Sequence, residues 1–404
     1  MKTSEYPMIT VEEAIEIVLK NVSALEPVRV PLAGALQRVL AEDIVAAEDM
    51  PPFAASAKDG FAVIAADDSP VRRVVGEQLA GANADLRLEP GTAIRITTGA
   101  PLPPGADAVV MLEQCRESGG EIRLLTAVRP GDEVRPAGED VARGQAVLAR
   151  GTLLGPAELG LLAATGHSEV LVHPTPSVAV VSTGDELVEP ADSLAPGQIR
   201  DANRYSLMAE VRQLGCRAID LGIVRDRPGD LESLFERGLQ EADATLTSGG
   251  VSMGVRDLIK SLLESRGTVH FGRVYTKPGK PVTFATVAGK PFFALPGFPV
   301  SALVTFEIYV RPALLKMAGH TRLARPTRQV TLRHAVRHTA DRTEFQRAVV
   351  TWEDGRYYAT TTGQQSSGRL LSMVGANALL KLPYRHGDFA AGEAVEAIII
   401  GDIY

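Results

Sequence analysis

Apolar residues follow different rhythms in different parts of this chain. Between residues 10 and 22, Val11, Ala14, Ile15, Val18 and Leu19 recur at helical spacing and form one stripe. Thr10 and Glu13 bracket the start as a capping box, so a helix is predicted there. The texture stays amphipathic to residue 44. From about 45 to 140, short apolar runs such as 93–96 and 108–112 alternate with Glu89-Pro90-Gly91, Pro103-Pro104-Gly105 and Pro130-Gly131-Asp132. That predicts an all-β insert of short strands. A further helix is predicted with Gly155 as N-cap, Pro156 at its first position and Gly166 as its stop.

From about 176 the pattern alternates strand and helix. Strands are predicted at 177–182, 216–224, 244–247 and 292–295; helices at 203–214 (capped by Asn203), 230–241, 255–265 and 299–316. This alternation predicts a doubly wound, mostly parallel sheet with helices on both faces. After Ala324-Arg325-Pro326 the runs VTLRHAV, RAVVTW, YYATTT and AVEAIII predict a small terminal β-barrel or sandwich.

At 404 residues, two to four domains are expected. With 45% apolar and 23% charged residues, the chain can build real cores. A net charge of −7 argues against a nucleic-acid surface, and 5% aromatics with Trp352 as the only tryptophan is thin for base stacking. Any cations for an anionic substrate must therefore be focused in one cleft. Cys115 and Cys216, 101 residues apart, offer neither a disulfide framework nor a thiolate metal site and are read as small buried hydrophobes. No run is long enough to span a membrane and MKTSEYPMIT is unlike a signal peptide, so a cytoplasmic protein is expected.

In a doubly wound sheet, ligands bind beyond the carboxyl ends of the strands. Here VAVVS runs into Thr183-Gly184-Asp185-Glu186, the strand ending at Val224 into Arg225-Asp226, and ATLT into residues 248–254 and then Arg256-Asp257. Glu186, Asp226 and Asp257 are expected to converge on one edge, although each alone can be read as a helix cap. Ser248-Gly249-Gly250-Val251-Ser252-Met253-Gly254 puts three glycines and two serines before a helix, a candidate anion cradle that matches neither the Walker A nor the GxGxxG pattern. Lys277-Pro278-Gly279-Lys280-Pro281 holds two lysines on a proline-stiffened stretch, so less entropy is lost on engaging an anion; it can also be read as a solvated turn. Leu295-Pro296-Gly297-Phe298-Pro299-Val300-Ser301 adds a rigid turn and another helix start. Two cradles, two lysines and three carboxylates suit a phosphorylated substrate with Mg²⁺, which is held by one or two carboxylates plus phosphates. His334 and His338 fall in a predicted strand, where their spacing makes no chelating pair. Asp59-Gly60 reads as turn chemistry.

Taken together, these segments resemble the MoeA family of molybdopterin molybdenumtransferases, to which the gephyrin E domain is related. The resemblance is carried by MPPFAASAKDGFAV (50–63), RITTGAPLPPGADAVV (95–110), AGEDV (137–141), VSTGDELV (181–188), IRDANRY (199–205), TSGGVSMGVRD (247–257), TKPGKPV (276–282), ALPGFPVSA (294–302) and SSGRLLSMVGAN (366–377). It implies a homodimer of four-domain subunits. A discontinuous stalk (1–44 and 141–175) would enclose the β insert (45–140), followed by a MogA-like α/β domain (176–326) and a C-terminal β-barrel (327–404). It implies Mg²⁺-dependent insertion of molybdate into adenylylated molybdopterin with release of AMP, the substrate coming from a separate MogA-type adenylyltransferase.

By the same resemblance, Asp257, Asp226 and Glu186 would serve the metal and adenylate phosphate, and Lys277 and Lys280 the phosphates or the oxyanion. Asp59, Thr98 and Asp140 would come from the partner subunit. Ser367 aligns with a functional serine, and Ser248, Gly249, Gly250, Ser252, Arg273, Pro296 and Pro299 are candidate substrate contacts. Lys58, Arg273 and Ala54-Ala55 depart from the family pattern. Alternatives are a MogA- or CinA-like adenylylating enzyme, or a gephyrin-like scaffold that would survive loss of Asp59 and Asp257.

Overall fold

The computed structural model describes residues 6–82, 85–249 and 258–403. The chain divides into two compact units, Arg29–Val172 and Met1–Val28 with His173–Tyr404.

In the unit Arg29–Val172, a six-stranded sheet runs in the order Ala108–Met111, Gly60–Val63, Thr92–Ile96, Val71–Gln78, Glu121–Leu124, Cys115–Ser118. Successive residues of one strand go to opposite cores: Phe61 and Val63 join Ala93, Val110 and Ile122, while Ala62 joins Ile94, Ile96 and Val109. The strand Val71–Gln78 is absent from the sequence expectation because VRRVVGEQ lacks the alternation that marks its neighbours. Cys115 is half-buried rather than buried, and both cysteines are free. The helix Pro156–Ala164 starts after Gly155 with Pro156 in its first turn.

Gly60 corrects the turn reading of Asp59-Gly60. It opens a central strand, paired with Ile96 on one side and Met111 on the other, and a Cβ there would lie 2.0 Å from the Val110 carbonyl oxygen. The glycine answers a close backbone approach. Gly60→Ala should therefore destabilise this unit by about 3 kcal/mol, read as a lower urea midpoint.

In the other unit, a six-stranded sheet runs in the order Arg217–Val224, Ser177–Thr183, Ala244–Ser248, Lys290–Leu295, Thr283–Val287, Thr268–Phe271. The first four strands are parallel; Thr283–Val287 alone runs the other way, pairing antiparallel with both Lys290–Leu295 and Thr268–Phe271. Leu207, Val211 and Val300 cover one face together with Val11, Ala14 and Val18 of the capped helix Val11–Lys20. Leu231, Phe235, Ile259 and Leu263 cover the other. Burial on both faces is why the inner strands Ser177–Thr183 and Lys290–Leu295 are nearly continuous apolar runs. The second sheet of this unit closes into a five-stranded barrel: Thr343–Glu353 pairs with Arg356–Thr361 and also with Ala378–Leu382, completing the ring through Thr327–Leu332 and Ala394–Ile399. The short strand Thr276–Lys277 pairs in parallel with Thr343 and Glu344, joining the α/β part to the barrel.

Three expectations change here. Asn203 is the first residue of the helix Asn203–Gln213, not its cap; the Arg204 N–H donates to Asp201 Oδ1 at 3.1 Å instead. The predicted 299–316 helix is interrupted by a π-helical segment, Phe306–Val310, between Pro299–Thr305 and Arg311–Met317. His334 and His338 lie beyond the end of the strand Thr327–Leu332.

The π segment presents Glu307 to Arg325, which donates to both of its carboxylate oxygens. Burial and the Glu307 charge raise the carboxyl of Glu210, on Asn203–Gln213, to about 7, against the pull of Arg325 and Arg311. Unfolding returns it to about 4.3, so over the intervening pH range the folded state holds a proton that the unfolded state has lost. Stability then falls as pH rises from the unfolded value toward 7 and levels off above it, by roughly 3–4 kcal/mol in total. Glu210→Gln should flatten this slope, checked by thermal melts at pH 5.5 and 8.

Candidate active site

At the carboxyl ends of the parallel strands, two of the three expected acids come together. The Glu186 carboxylate folds back over Gly184, where a Cβ would sit 2.6 Å from Oε2. Asp226 follows the strand Arg217–Val224. Burial raises its carboxyl above the ordinary range, with the charges of Asp185 and Glu186 adding to the effect. Neither acid is a helix cap: the helix Pro228–Glu241 begins after Arg227 with no side-chain cap bond, and Glu186 precedes the strand Leu187–Val188. Asp185, beside Glu186 in the sequence but not among the expected site residues, also bears on Asp226 through its charge. Asp257, Gly250 and Ser252 lie outside the described residues. Among the described residues no three acids, histidines or cysteines form a ready-made metal site. The donor chemistry nonetheless fits Mg²⁺, which needs only one or two carboxylates when phosphates complete its shell.

Ser248 ends the next strand, and Gly249 turns the chain with φ +95°. A Cβ on Gly249 would lie 2.4 Å from the Thr183 carbonyl oxygen, so only glycine passes this close to the neighbouring strand end. Its N–H donates to the Leu295 carbonyl at 3.2 Å. Asn203, displaced from its expected capping role, donates to Ser248 Oγ and the Gly297 carbonyl, both at 2.6 Å. It thereby ties the Ser248 strand end to the turn that contains the buried Pro296 and half-buried Pro299. Three buried polar atoms at this edge, Thr183 Oγ1, Thr247 Oγ1 and Asn203 Oδ1, have no partner among the described residues. Orphans of this kind ask for a ligand or water.

The lysine stretch lies against the barrel. Gly279, at φ +107°, packs so closely that a Cβ would meet Thr305 Cγ2 at 2.3 Å. Lys277 Nζ is 3.2 Å from Glu344. Lys280 is half-buried and has no ion-pair partner among the described residues. Arg273 is half-buried, and its buried Nε lacks a partner there too. The Ser367 carbonyl accepts from the Val300 N–H at 3.1 Å, which fixes its loop at the start of the helix Pro299–Thr305. A cavity of about 470 Å³ opens between this loop, Lys277 and the barrel, with Arg337, Glu344, Gln346, Gln365 and Ser366 in its lining.

Arg347, unnoticed in the sequence, underlies this loop. It is fully buried; Nε donates to Ser372 Oγ at 3.1 Å and Nη2 to the Ser366 carbonyl at 3.3 Å. Burial pushes its guanidinium down to about 10, and the Glu344 charge opposes that. The available signal was an arginine within TEFQRAVV, a strand otherwise built for burial.

Asp59, Thr98 and Asp140 belong to the other unit, Arg29–Val172. Asp59 Oδ1 accepts from the Thr98 N–H (2.7 Å) and hydroxyl (3.0 Å), which holds its carboxyl below the usual range. Asp140 is ion-paired with Arg135 at 2.7 Å. Lys58, next to Asp59, is exposed.

Glu186 and Asp226 thus stand together at the strand ends beside buried polar atoms that lack a partner among the described residues, and Lys277 lines a cavity beside the barrel. Three family models match the chain: the MoeA N-terminal region (domain I and II) at residues 9–166, a probable molybdopterin binding domain at 179–316, and the MoeA C-terminal region (domain IV) at 329–400. The chain is 37% identical to molybdopterin molybdenumtransferase 2 of Mycobacterium tuberculosis, across 96% of this chain and 99% of that protein. It is 38% identical to the molybdopterin molybdenumtransferase of Haemophilus influenzae, across 90% and 91%. It is also 37% identical to gephyrin of Dictyostelium discoideum, of which it spans 63%. The crystal structure of a molybdopterin biosynthesis MoeA protein from Pyrococcus superposes with a TM-score of 0.85 at 32% identity, covering 98% of this chain and all of that one. The chain belongs to the MoeA family.

Proposed function

We infer that this chain is a molybdopterin molybdenumtransferase that inserts molybdate into adenylylated molybdopterin and releases AMP, in molybdenum cofactor biosynthesis. The observation that carries this reading is the 37% identity to a molybdopterin molybdenumtransferase along nearly the whole of both chains. The strand-end chemistry supports it. Lys277 and Lys280 supply fixed positive charge for a tetrahedral oxyanion or phosphate, in a cleft where preorganised charge acts more strongly than in water. Ser248, Gly249, Pro296 and Pro299 would contact the substrate, as would Gly250 and Ser252. Arg273 adds charge, and the Ser367 loop closes the barrel side.

Glu186 and Asp226, with Asp257, would hold Mg²⁺. When bound, the ion would neutralise phosphate charge and ease departure of the nucleotide. Asp59, oriented by Thr98, and Asp140 would enter from the partner subunit of a homodimer. A MogA-type adenylyltransferase would supply the substrate, in the cytoplasm. No described helix is long and apolar enough to cross a membrane.

The test is anaerobic. Purified protein is mixed with adenylylated molybdopterin and Mg²⁺, and AMP is followed with and without molybdate or tungstate. Oxyanion-dependent AMP release is expected. Binding of the adenylylated substrate with no release under any condition would replace the enzyme reading with a carrier or scaffold.

A further inference from the structure

The Glu344 carboxylate is 3% exposed and is engaged from two sides, by Lys277 Nζ at 3.2 Å and by His338 Nδ1 at 3.1 Å. The His338 side chain is fully enclosed, and its Nε2 lies 3.0 Å from the Pro383 carbonyl oxygen. A carbonyl oxygen can only accept, so Nε2 carries a hydrogen. An ionised carboxylate can also only accept. A bare Nδ1 facing it at this distance would set two lone pairs against each other. The contact therefore contains a hydrogen, either on an imidazolium donating to the carboxylate or on a carboxyl donating to the imidazole. Both arrangements give the pair the same net charge, zero.

That proton changes what Lys277 offers the cavity. An ionised Glu344 beside a neutral histidine would cancel the ammonium. With the proton shared, the hydrogen bond to Glu344 fixes where the ammonium sits, while the group as a whole keeps a positive charge. The other charges facing the pair do not remove it. Arg347, on Glu344's own strand, adds a second cation. Asp388 accepts from the His338 backbone N–H at 2.7 Å. Phe389 is tilted against the ring. Lys277, 35% exposed, lines the cavity beside Glu344.

We propose that His338 and Glu344 are positioning residues for Lys277: they hold its ammonium at the cavity, and the proton they share leaves its charge free for a tetrahedral dianion, either molybdate or the adenylate phosphate. This rests on the function inferred above.

The test titrates molybdate and AMP separately, by calorimetry, into the full chain, His338→Gln and His338→Gln/Glu344→Gln. AMP-release kinetics give KM for molybdate and kcat. In His338→Gln the carboxylate is left to cancel Lys277, so anion binding should weaken about tenfold, in KM rather than kcat. Adding Glu344→Gln should recover most of that loss, a rescue that a merely structural role for either residue would not give. The anion whose binding responds identifies the source.

Unaltered binding in His338→Gln, or a double variant weaker than the single, overturns the proposal. An unaltered protein that turns over but binds neither anion overturns it while leaving the enzyme reading intact; absence of AMP release removes both. Should His338→Gln fail to fold, spectra of the unaltered protein decide. A doubly protonated His338 in the nitrogen-15 spectrum supports the pair, as does a protonated-carboxyl infrared band absent from Glu344→Gln. A bare Nδ1 with no such band overturns it.

Discussion

Asp226→Asn should lower AMP release about 100-fold while leaving the protein folded, with a melting temperature equal to or slightly above that of the parent. The two halves of this expectation have one cause. Asp226 lies in the field of Asp185 and Glu186, which with partial burial disfavours its charged form. Removing that charge relieves repulsion, and no structural bond is lost with it because Asp226 makes no cap to the helix Pro228–Glu241. A carboxylate held at a cost to the fold is expected where a cation is to be bound. Excess Mg²⁺ should restore part of the rate, since a ligand is weakened and the site is not destroyed. Parent-like turnover in this variant would remove Asp226 from the metal site. A sharp fall in melting temperature would reveal a structural role instead.

The parallel sheet is legible in the sequence because strands buried on both faces, such as SVAVVST and ATLTS, are nearly unbroken runs of apolar and small residues. The antiparallel strands Thr268–Phe271 and Thr283–Val287 are not, since their pairing depends on a return connection that local pattern does not encode. The acids at the strand ends follow from topology: once the sheet is inferred, its carboxyl edge is known. The residues that position the site are a different matter. Asn203 in IRDANRY reads as a helix cap, and only the folded chain brings it to Ser248 and Gly297, 45 and 94 residues away. Glu344 and Arg347 sit in a strand of mixed polarity, TEFQRAVVTWE, whose pattern assigns neither a role. Their role depends on Lys277 and on the Ser366 carbonyl, which come from other elements. Gly60 shows the same limit from the other side. Its dipeptide carries a turn signal, and the Val110 carbonyl that requires the glycine is 50 residues away.

Lys277→Ala should raise KM for molybdate about 30-fold, with a smaller effect on kcat, because a charge-assisted contact to an anion contributes about 2 kcal/mol. Its effect on stability should be slight for a residue paired with a buried carboxylate. Stranding a buried charge commonly costs about 3–5 kcal/mol. Glu344, however, keeps His338 as a partner at 3.1 Å, and with a proton shared between them the pair needs no second cation. A cost of about 1 kcal/mol is therefore expected, for the lost hydrogen bond alone. Measuring both quantities in one variant separates the roles. High KM with near-parent stability places the lysine's charge in the cavity. Parent-like kinetics at limiting molybdate, with a loss of several kcal/mol, would make Lys277 a structural counter-ion of Glu344 and leave Lys280 as the remaining lysine of the stretch for the oxyanion.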